Sequence, residues 1–320
     1  MIPQPIGTPT TPSGKSLYGS GDKIELLSVE LLDQNRALVE SLKEFSRSVR
    51  LELGWHYLLD LSWILSHLGP LPGKRIMDAG AGIGVLQWYL ASQGAEVVSV
   101  DRVSREALSL RFRRRFRVQG LRQKDLLTPS QVLGKRFNQK AKGPFYRRWL
   151  VKASSPLREL LGWMHPPQGS GCVWIYNQNL AELADVQNDS LDAVVSVSAL
   201  EHNSPQGLEA VVKEIMRVLK PGGVLLATLT AGRDEDWWHE ASKGWCYSAA
   251  SLQRIFNLEP GAPSNYERYD ELIESLRNCA ELRDNLASFY SNTDQGGMPQ
   301  GIWDPQYQPV GVCKIKTEQE

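Results

Sequence analysis

The segment Asp78-Ala79-Gly80-Ala81-Gly82-Ile83-Gly84 places an acid and three alternating glycines directly after the apolar residues Ile76 and Met77. Glycines leave no side chain between the backbone and a ligand lying across the turn. A helix starting near Ile83 would aim its unpaired amides, the positive end of its dipole, at the same point. The spacing is not that of a dinucleotide loop, because G-x-G-x-x-G counted from Gly80 would need glycine where Val85 stands. A phosphate-cradling G-x-x-x-x-G-K-[ST] is absent. A second apolar run, Ala95 to Val100, ends in Asp101. An acid about 20 residues beyond a glycine turn can accept hydrogen bonds from both ribose hydroxyls of an adenine nucleoside.

These groups meet only if the runs 75–79 and 95–101 are neighbouring parallel strands ending at one sheet edge. The intervening stretch 84–93, closed by Gly94, has the length and composition of the crossover helix this requires. The pattern continues along the chain: Cys172-Val173-Trp174-Ile175-Tyr176 reads as a third strand and Leu191 to Ser198 as a fourth. Leu208, Val211, Val212, Ile215, Met216 and Leu219 lie on one helix face over 207–219, and Val224 to Leu229 is a fifth strand. Strands alternating with helices argue for a parallel α/β sheet. Before it, residues 1–20 are rich in Pro, Thr, Ser and Gly and read as a flexible arm. From Asp22 the sequence reads as helical, with a second, nearly all-apolar helix over 52–68 that ends at Gly69-Pro70-Leu71-Pro72-Gly73. The domain organisation expected is an arm (1–20), an N-terminal helical cap (21–70) and a core domain (71–320).

The 320 residues carry 36 basic and 36 acidic side chains, so the whole molecule has no bulk signal for nucleic acid or membrane. The balance conceals an asymmetry. Residues 102–158 hold 17 Lys and Arg against Glu106 and Asp125, a segment of +15 in a chain otherwise −15. Some 70 residues separate the second strand from the third, far longer than ordinary connections. A helical insertion over about 119–168 is therefore expected. A basic insertion of this kind suits a lid over an anionic substrate, an anionic membrane face or an RNA backbone; a solvated helix face accounts for part of the charge. Four scattered cysteines without C-x-x-C argue against structural zinc and a disulfide framework, and no metal site is expected. No apolar run reaches the length of a membrane span and the N-terminus has no apolar signal core, so a cytoplasmic location is expected.

Four signals agree in order and spacing: Asp78 to Gly84, Asp101, Asp189-Ser190-Leu191-Asp192-Ala193-Val194-Val195-Ser196 with Leu200-Glu201-His202, and Leu219-Lys220-Pro221-Gly222-Gly223. Together, over roughly 72–232, they resemble the class I S-adenosylmethionine (SAM) dependent methyltransferases, of the small-molecule type grouped with the ubiquinone and menaquinone methyltransferases. The resemblance implies an α/β, Rossmann-like, seven-stranded, mostly parallel sheet flanked by helices, here with the N-terminal helical cap and basic helical insertion. It implies SAM as cofactor and S-adenosylhomocysteine as product. Asp78, Gly80, Ala81 and Gly82 would line the methionine and ribose, Asp101 would hold the ribose hydroxyls, and Arg102 would stand beside the adenine. Asn179-Leu180-Ala181 would meet the adenine edge, where an aspartate is usual in the family, and Ser198 would offer its carbonyl to the methionine amino group.

Methyl transfer needs an in-line nucleophile in a dry, oriented site, and a general base if the acceptor must lose a proton. His202 is the first candidate base, because it follows strand four at the ligand-binding edge. Glu201 is the alternative and His239, in the aromatic stretch 234–247, a third. His56, with Trp55 and Tyr57, could close the pocket from the cap, although such a helix is more often core. The reading is methyl transfer to a small-molecule or glycan-like acceptor, anionic if the basic segment serves it, at oxygen. RNA methylation through 102–158, with peripheral membrane contact left open, and a non-catalytic SAM-fold interaction protein are the alternatives. The lack of an Asn/Asp-Pro-Pro-Tyr/Phe motif and of an RNA-binding module argues against nucleic acid.

Overall fold

The computed structural model describes residues 21–138, 169–292 and 297–318; the arm 1–20 and the part of the insertion over 139–168 lie outside them. The central element is one mixed sheet of ten strands. In chain order these are β1 (Lys23–Leu26), β2 (Arg75–Ala79), β3 (Glu96–Asp101), β4 (Val118–Gly120), β5 (Cys172–Asn177), β6 (Leu191–Val197), β7 (Leu219–Ala231), β8 (Trp237–His239), β9 (Gly244–Tyr247) and β10 (Gln308–Ile315). The main path runs β1-β10-β7-β6-β2-β3-β5-β4, and β9 pairs with β7 and with β8. Strands β2 to β7 are mutually parallel, whereas β10 is antiparallel to both β7 and β1.

Chain order reverses at β2, which has β3 on one side and β6 on the other. A crevice opens outside the carboxyl ends of the strands at such a switch point, and ligands bind there in open α/β sheets. The strands are apolar on both sides because both faces are covered. Ile76, Val97 and Val195 pack with α3 (Tyr57–His67) and α4 (Val85–Ser92) on one face, while Met77, Val98 and Val194 pack with α7 (Pro205–Val218) on the other. The remaining α-helices among the described residues are α1 (Glu30–Gln34), α2 (Arg36–Val49), α5 (Leu110–Arg115), α6 (Pro129–Asn138), α8 (Ala249–Ile255), α9 (Tyr269–Arg277) and α10 (Ala280–Asp284).

One expectation changes. The stretch after Asp22 opens not with helix but with β1, whose residues alternate between half-buried and buried against β10; four residues of period-two pattern were masked by the apolar helical run that follows. The seven-strand expectation fits roughly: the path β10-β7-β6-β2-β3-β5-β4 is mostly parallel, and β1 with the β8–β9 hairpin brings the sheet to ten strands. Of the expected insertion, residues 119–138 carry the end of β4, a turn of 3₁₀ helix at Gln123–Asp125 and α6.

Candidate cofactor and active site

The turn between β2 and α4 has the backbone that its glycines permit. Gly80 and Gly82 have φ of +77° and +49°, where a side chain would be strained. The Gly80 and Ala81 amides donate to the Val100 carbonyl at 2.9 and 3.0 Å, tying the turn to β3. The Gly82 amide donates to Asp101 Oδ2 at 2.8 Å, and the Val103 amide donates to Asp101 Oδ1 at 2.7 Å. Each carboxylate oxygen accepts one backbone proton and keeps a lone pair for a ligand. The same two bonds fix the plane of the carboxylate, which a bidentate contact to vicinal hydroxyls needs.

A buried network that sequence reading missed supports the turn from below. The Gln87 amide nitrogen donates to the carbonyls of Ala81, Gly82 and Gly84 at 3.2–3.3 Å. Its oxygen accepts from Ser99 Oγ at 2.6 Å. The buried Arg105 guanidinium donates to the Gly82 carbonyl at 3.0 Å, to the Ser99 carbonyl at 2.7 Å and to Ser99 Oγ. Burial lowers the Arg105 pKa, and the negative charges of Asp101 and Asp78 oppose that fall. Asp78 itself is buried; desolvation pushes it up to about 7, with Arg105 pulling the other way and Asp101 adding to the rise.

These elements enclose a cavity of about 370 Å³, within the range of small-ligand sites. Asp78, Gly80, Ala81, Gly82, Asp101, Arg102, Asn179, Leu180 and Ser198 all line it, and His202 stands at its margin. Ala181 does not line it; its amide donates to Asn179 Oδ1 at 3.2 Å. Tyr57 of α3, named with His56 and Trp55 as a closure from the cap, lines it, as do Leu61 of α3 and Val103 after β3, which were not singled out for that role. Ile83 and Val103 are large apolar side chains left exposed beside Asp101.

Of the three candidate bases, only His202 borders the cavity. Its Nδ1 lies 2.8 Å from the Lys243 carbonyl. A carbonyl only accepts, so Nδ1 carries the proton and Nε2 of the neutral ring is the basic nitrogen. Glu201 is buried under the edge, taking a 2.5 Å hydrogen bond from Ser198 Oγ; burial raises its pKa, with the nearby His202 opposing. His239 lies further off in the β8–β9 hairpin, with Nδ1 2.7 Å from Ser242 Oγ, and burial lowers its pKa. Ser198 has φ of +44°, an uncommon conformation for a residue with a side chain, which turns the chain from the end of β6 into the Leu200–His202 turn.

Much of the basic segment serves the fold. Arg113 donates to the carbonyls of Leu108, Glu106 and Leu127, Arg115 to Ser48, and Arg122 to Asp125 and the Asn177 carbonyl. Lys140, Lys142, Arg147, Arg148, Lys152 and Arg158 lie outside the described residues. Among the described residues no cluster of three or more metal-ligating side chains occurs, and no helix is long and apolar enough to cross a membrane.

A parallel sheet with its switch point at β2, an antiparallel β10 beside β7, a glycine turn clamped to Asp101 and an adjoining cavity of about 370 Å³ form a Rossmann-like fold with a ligand cleft at the switch point. A family model described as a methyltransferase domain matches residues 158–227. The curated relatives are ubiquinone biosynthesis O-methyltransferases. That of Acinetobacter baylyi is 44% identical over 43 residues, 13% of this chain and 18% of that protein. That of Idiomarina loihiensis is 25% identical over 227 residues, 70% of this chain and 68% of its own length. The solved geranyl diphosphate C-methyltransferase of Streptomyces coelicolor is 14% identical, with a TM-score of 0.44 over 94% of this chain and 93% of that one.

Proposed function

We propose that the protein transfers the methyl group of SAM to a hydroxyl of a small molecule, with His202 as the general base. The carrying observation is the placement of His202 at the margin of the cofactor cavity with its Nδ1 committed to the Lys243 carbonyl. Bound SAM supplies an electrophilic methyl on a sulfonium. The chain's task is to orient and desolvate. Asp101 accepts the ribose hydroxyls, the glycine turn admits the nucleoside, Asn179 and Leu180 meet the adenine, and Asp78 and the Ser198 carbonyl face the methionine end. Nε2 of His202 takes the acceptor's proton. The fit of the cofactor rests on the fixed Asp101 carboxylate and on Gly80, where a Cβ would overlap the Ala199 methyl.

The oxygen acceptor follows the O-methyltransferase activity that the curated relatives are named for and the need for a base. An anionic acceptor drew its support from the basic segment, yet Arg105, Arg113, Arg115 and Arg122 are engaged by their own chain. The same engagement weakens the RNA reading. We place the protein in the cytoplasm on the sequence alone. The test is transfer of labelled methyl from SAM to a panel of hydroxylated small molecules. His202→Asn should lower kcat about 100-fold or more while leaving SAM affinity within about twofold. A parallel loss of SAM affinity would move His202 from base to cofactor ligand.

A further inference from the structure

Beside the cofactor cavity lies a second group of chemistry-bearing residues that the proposed reaction does not use. It is drawn from three distant parts of the chain: the start of α3, the turn after β6, and the segment before β10. Glu201 is 2% exposed, and its Oε2 has no hydrogen-bond partner among the described residues. Trp55 is 3% exposed, and its indole nitrogen likewise has no partner among them. A buried carboxylate oxygen and a buried indole N–H without partners are both costly, and both are explained if a ligand completes them.

The surroundings are aromatic and acidic. The Trp55 and Tyr307 rings are 5.2 Å apart, and His56 is 4.5 Å from Trp55 and 5.9 Å from Tyr307. His56 Nδ1 lies 2.8 Å from Asp60 Oδ2, so that histidine is occupied by its own acid. The Glu201 charge, acting after burial, raises the Tyr307 hydroxyl, and it does the same to Tyr247. Glu201 Cγ stands 3.0 Å from where a Cβ on Gly244 would lie, and Gly244 pairs with His239, whose ring is 5.2 Å from that of Tyr307. At Gly297, φ +88°, a Cβ would lie 3.4 Å from Trp55 Nε1 and 3.7 Å from the Tyr307 hydroxyl, so polar atoms converge on a bare backbone position. Tyr57, whose ring is 5.6 Å from that of His56, lines the cofactor cavity and joins the two regions. Neither Lys nor Arg is among the residues of this group.

We propose that Glu201, with Trp55 and Tyr307, is the recognition site for a protonated amine carried by the methyl acceptor, at a position other than the methylated atom. A carboxylate flanked by aromatic faces attracts a cation by charge and by cation–π attraction together. It repels a carboxylate or phosphate, which would have to share the site with Glu201 and Asp60. An acceptor such as an amino sugar or amino alcohol satisfies both requirements. The inference rests on the methyltransferase reading and assigns the substrate class of that site.

The test uses the full chain saturated with S-adenosylhomocysteine, with benzylamine, benzyl alcohol and benzoate as probes of one shape and three charges. Binding is read from the Trp55 indole N–H signal, assigned through Trp55→Phe. Benzylamine should bind at least about tenfold more tightly than benzyl alcohol, and benzoate more weakly than either. Glu201→Gln, which keeps the shape, should abolish the preference for benzylamine and leave benzyl alcohol affinity within about twofold. Equal binding of the amine and the alcohol, a preference for benzoate, or no probe moving the Trp55 signal would each overturn the proposal. If S-adenosylhomocysteine itself fails to bind, the methyltransferase reading falls. The same three titrations on the cofactor-free chain then decide the amine site separately.

Discussion

Gly80→Ala tests whether the cofactor turn has the backbone its sequence demands. Gly80 has φ of +77°, which costs a residue with a Cβ about 1–2 kcal/mol. The added methyl would also overlap the Cβ of Ala199. A methyl cannot rotate out of the way, so the turn or the end of β6 must shift, at about 1–3 kcal/mol for overpacking. The lower entropy of the unfolded alanine chain offsets about 0.4–1 kcal/mol. The net expectation is a loss of about 2–4 kcal/mol. The assay is urea unfolding of Gly80→Ala, Ala199→Gly and the double variant. Ala199→Gly removes the opposing methyl, so the double variant should recover the overlap part and show a coupling of about 1–3 kcal/mol, leaving the φ strain in place. Gly80→Ala within about 0.5 kcal/mol of the parent would refute both the turn geometry and the contact with Ala199, whereas strictly additive variants would refute the contact alone.

Three further outcomes follow from the same geometry. Asp78, held at about 7 by burial, is a raised acid: its neutral form contributes stability fully below the ordinary carboxylate range, and that contribution is lost as pH rises towards 7. Asp78→Asn should therefore gain on the parent in urea-unfolding free energy between pH 4 and 8, by at most about 4 kcal/mol; parallel profiles would contradict the buried acid. Arg105→Met removes a donor from the Gly82, Ser99 and Tyr176 carbonyls, of which Gly82 keeps its bond from Gln87, and should cost about 2–4 kcal/mol together with cofactor affinity. A variant weakened only in binding a polyanion would return Arg105 to a surface role. Asp236→Ala removes the acceptor for the Ser248 amide and for the Ser248 and Ser251 hydroxyls at the start of α8. It should cost about 1–2 kcal/mol in thermal unfolding without altering cofactor affinity, and a loss of affinity would place this loop in the site.

The regular core was legible because its signals are local. The runs at 75–79, 95–101, 172–176 and 191–198 appear as β2, β3, β5 and β6 within a residue or two at each end. The glycine turn and Asp101 converge on one cavity because parallel neighbours end at one edge. What was not legible depends on contacts between distant residues. Nothing in Lys23-Ile24-Glu25-Leu26 names β10, some 280 residues on, as its partner. Gln87, Ser99 and Arg105 look like ordinary helix, strand and loop residues until the fold closes them under the turn. The basic segment looked like a surface for an anion because sequence counts charge but not carbonyls, and Arg113 alone reaches three backbone carbonyls of its own chain. His56 and Trp55 read either as a pocket closure or as core helix residues, and the unpartnered atoms around them mark the place as unfinished.

The central claim is that Asp101 and the glycine turn hold the nucleoside of SAM. Isothermal calorimetry of the protein with S-adenosylhomocysteine and with SAM, repeated on Asp101→Asn and Asp101→Ala, tests it most directly. Both ligands should bind saturably and one-to-one, weakened at least about tenfold by Asp101→Ala and less by Asp101→Asn, which retains one acceptor oxygen. Absence of binding for both ligands in the unsubstituted protein, or an affinity indifferent to Asp101→Ala, would contradict it.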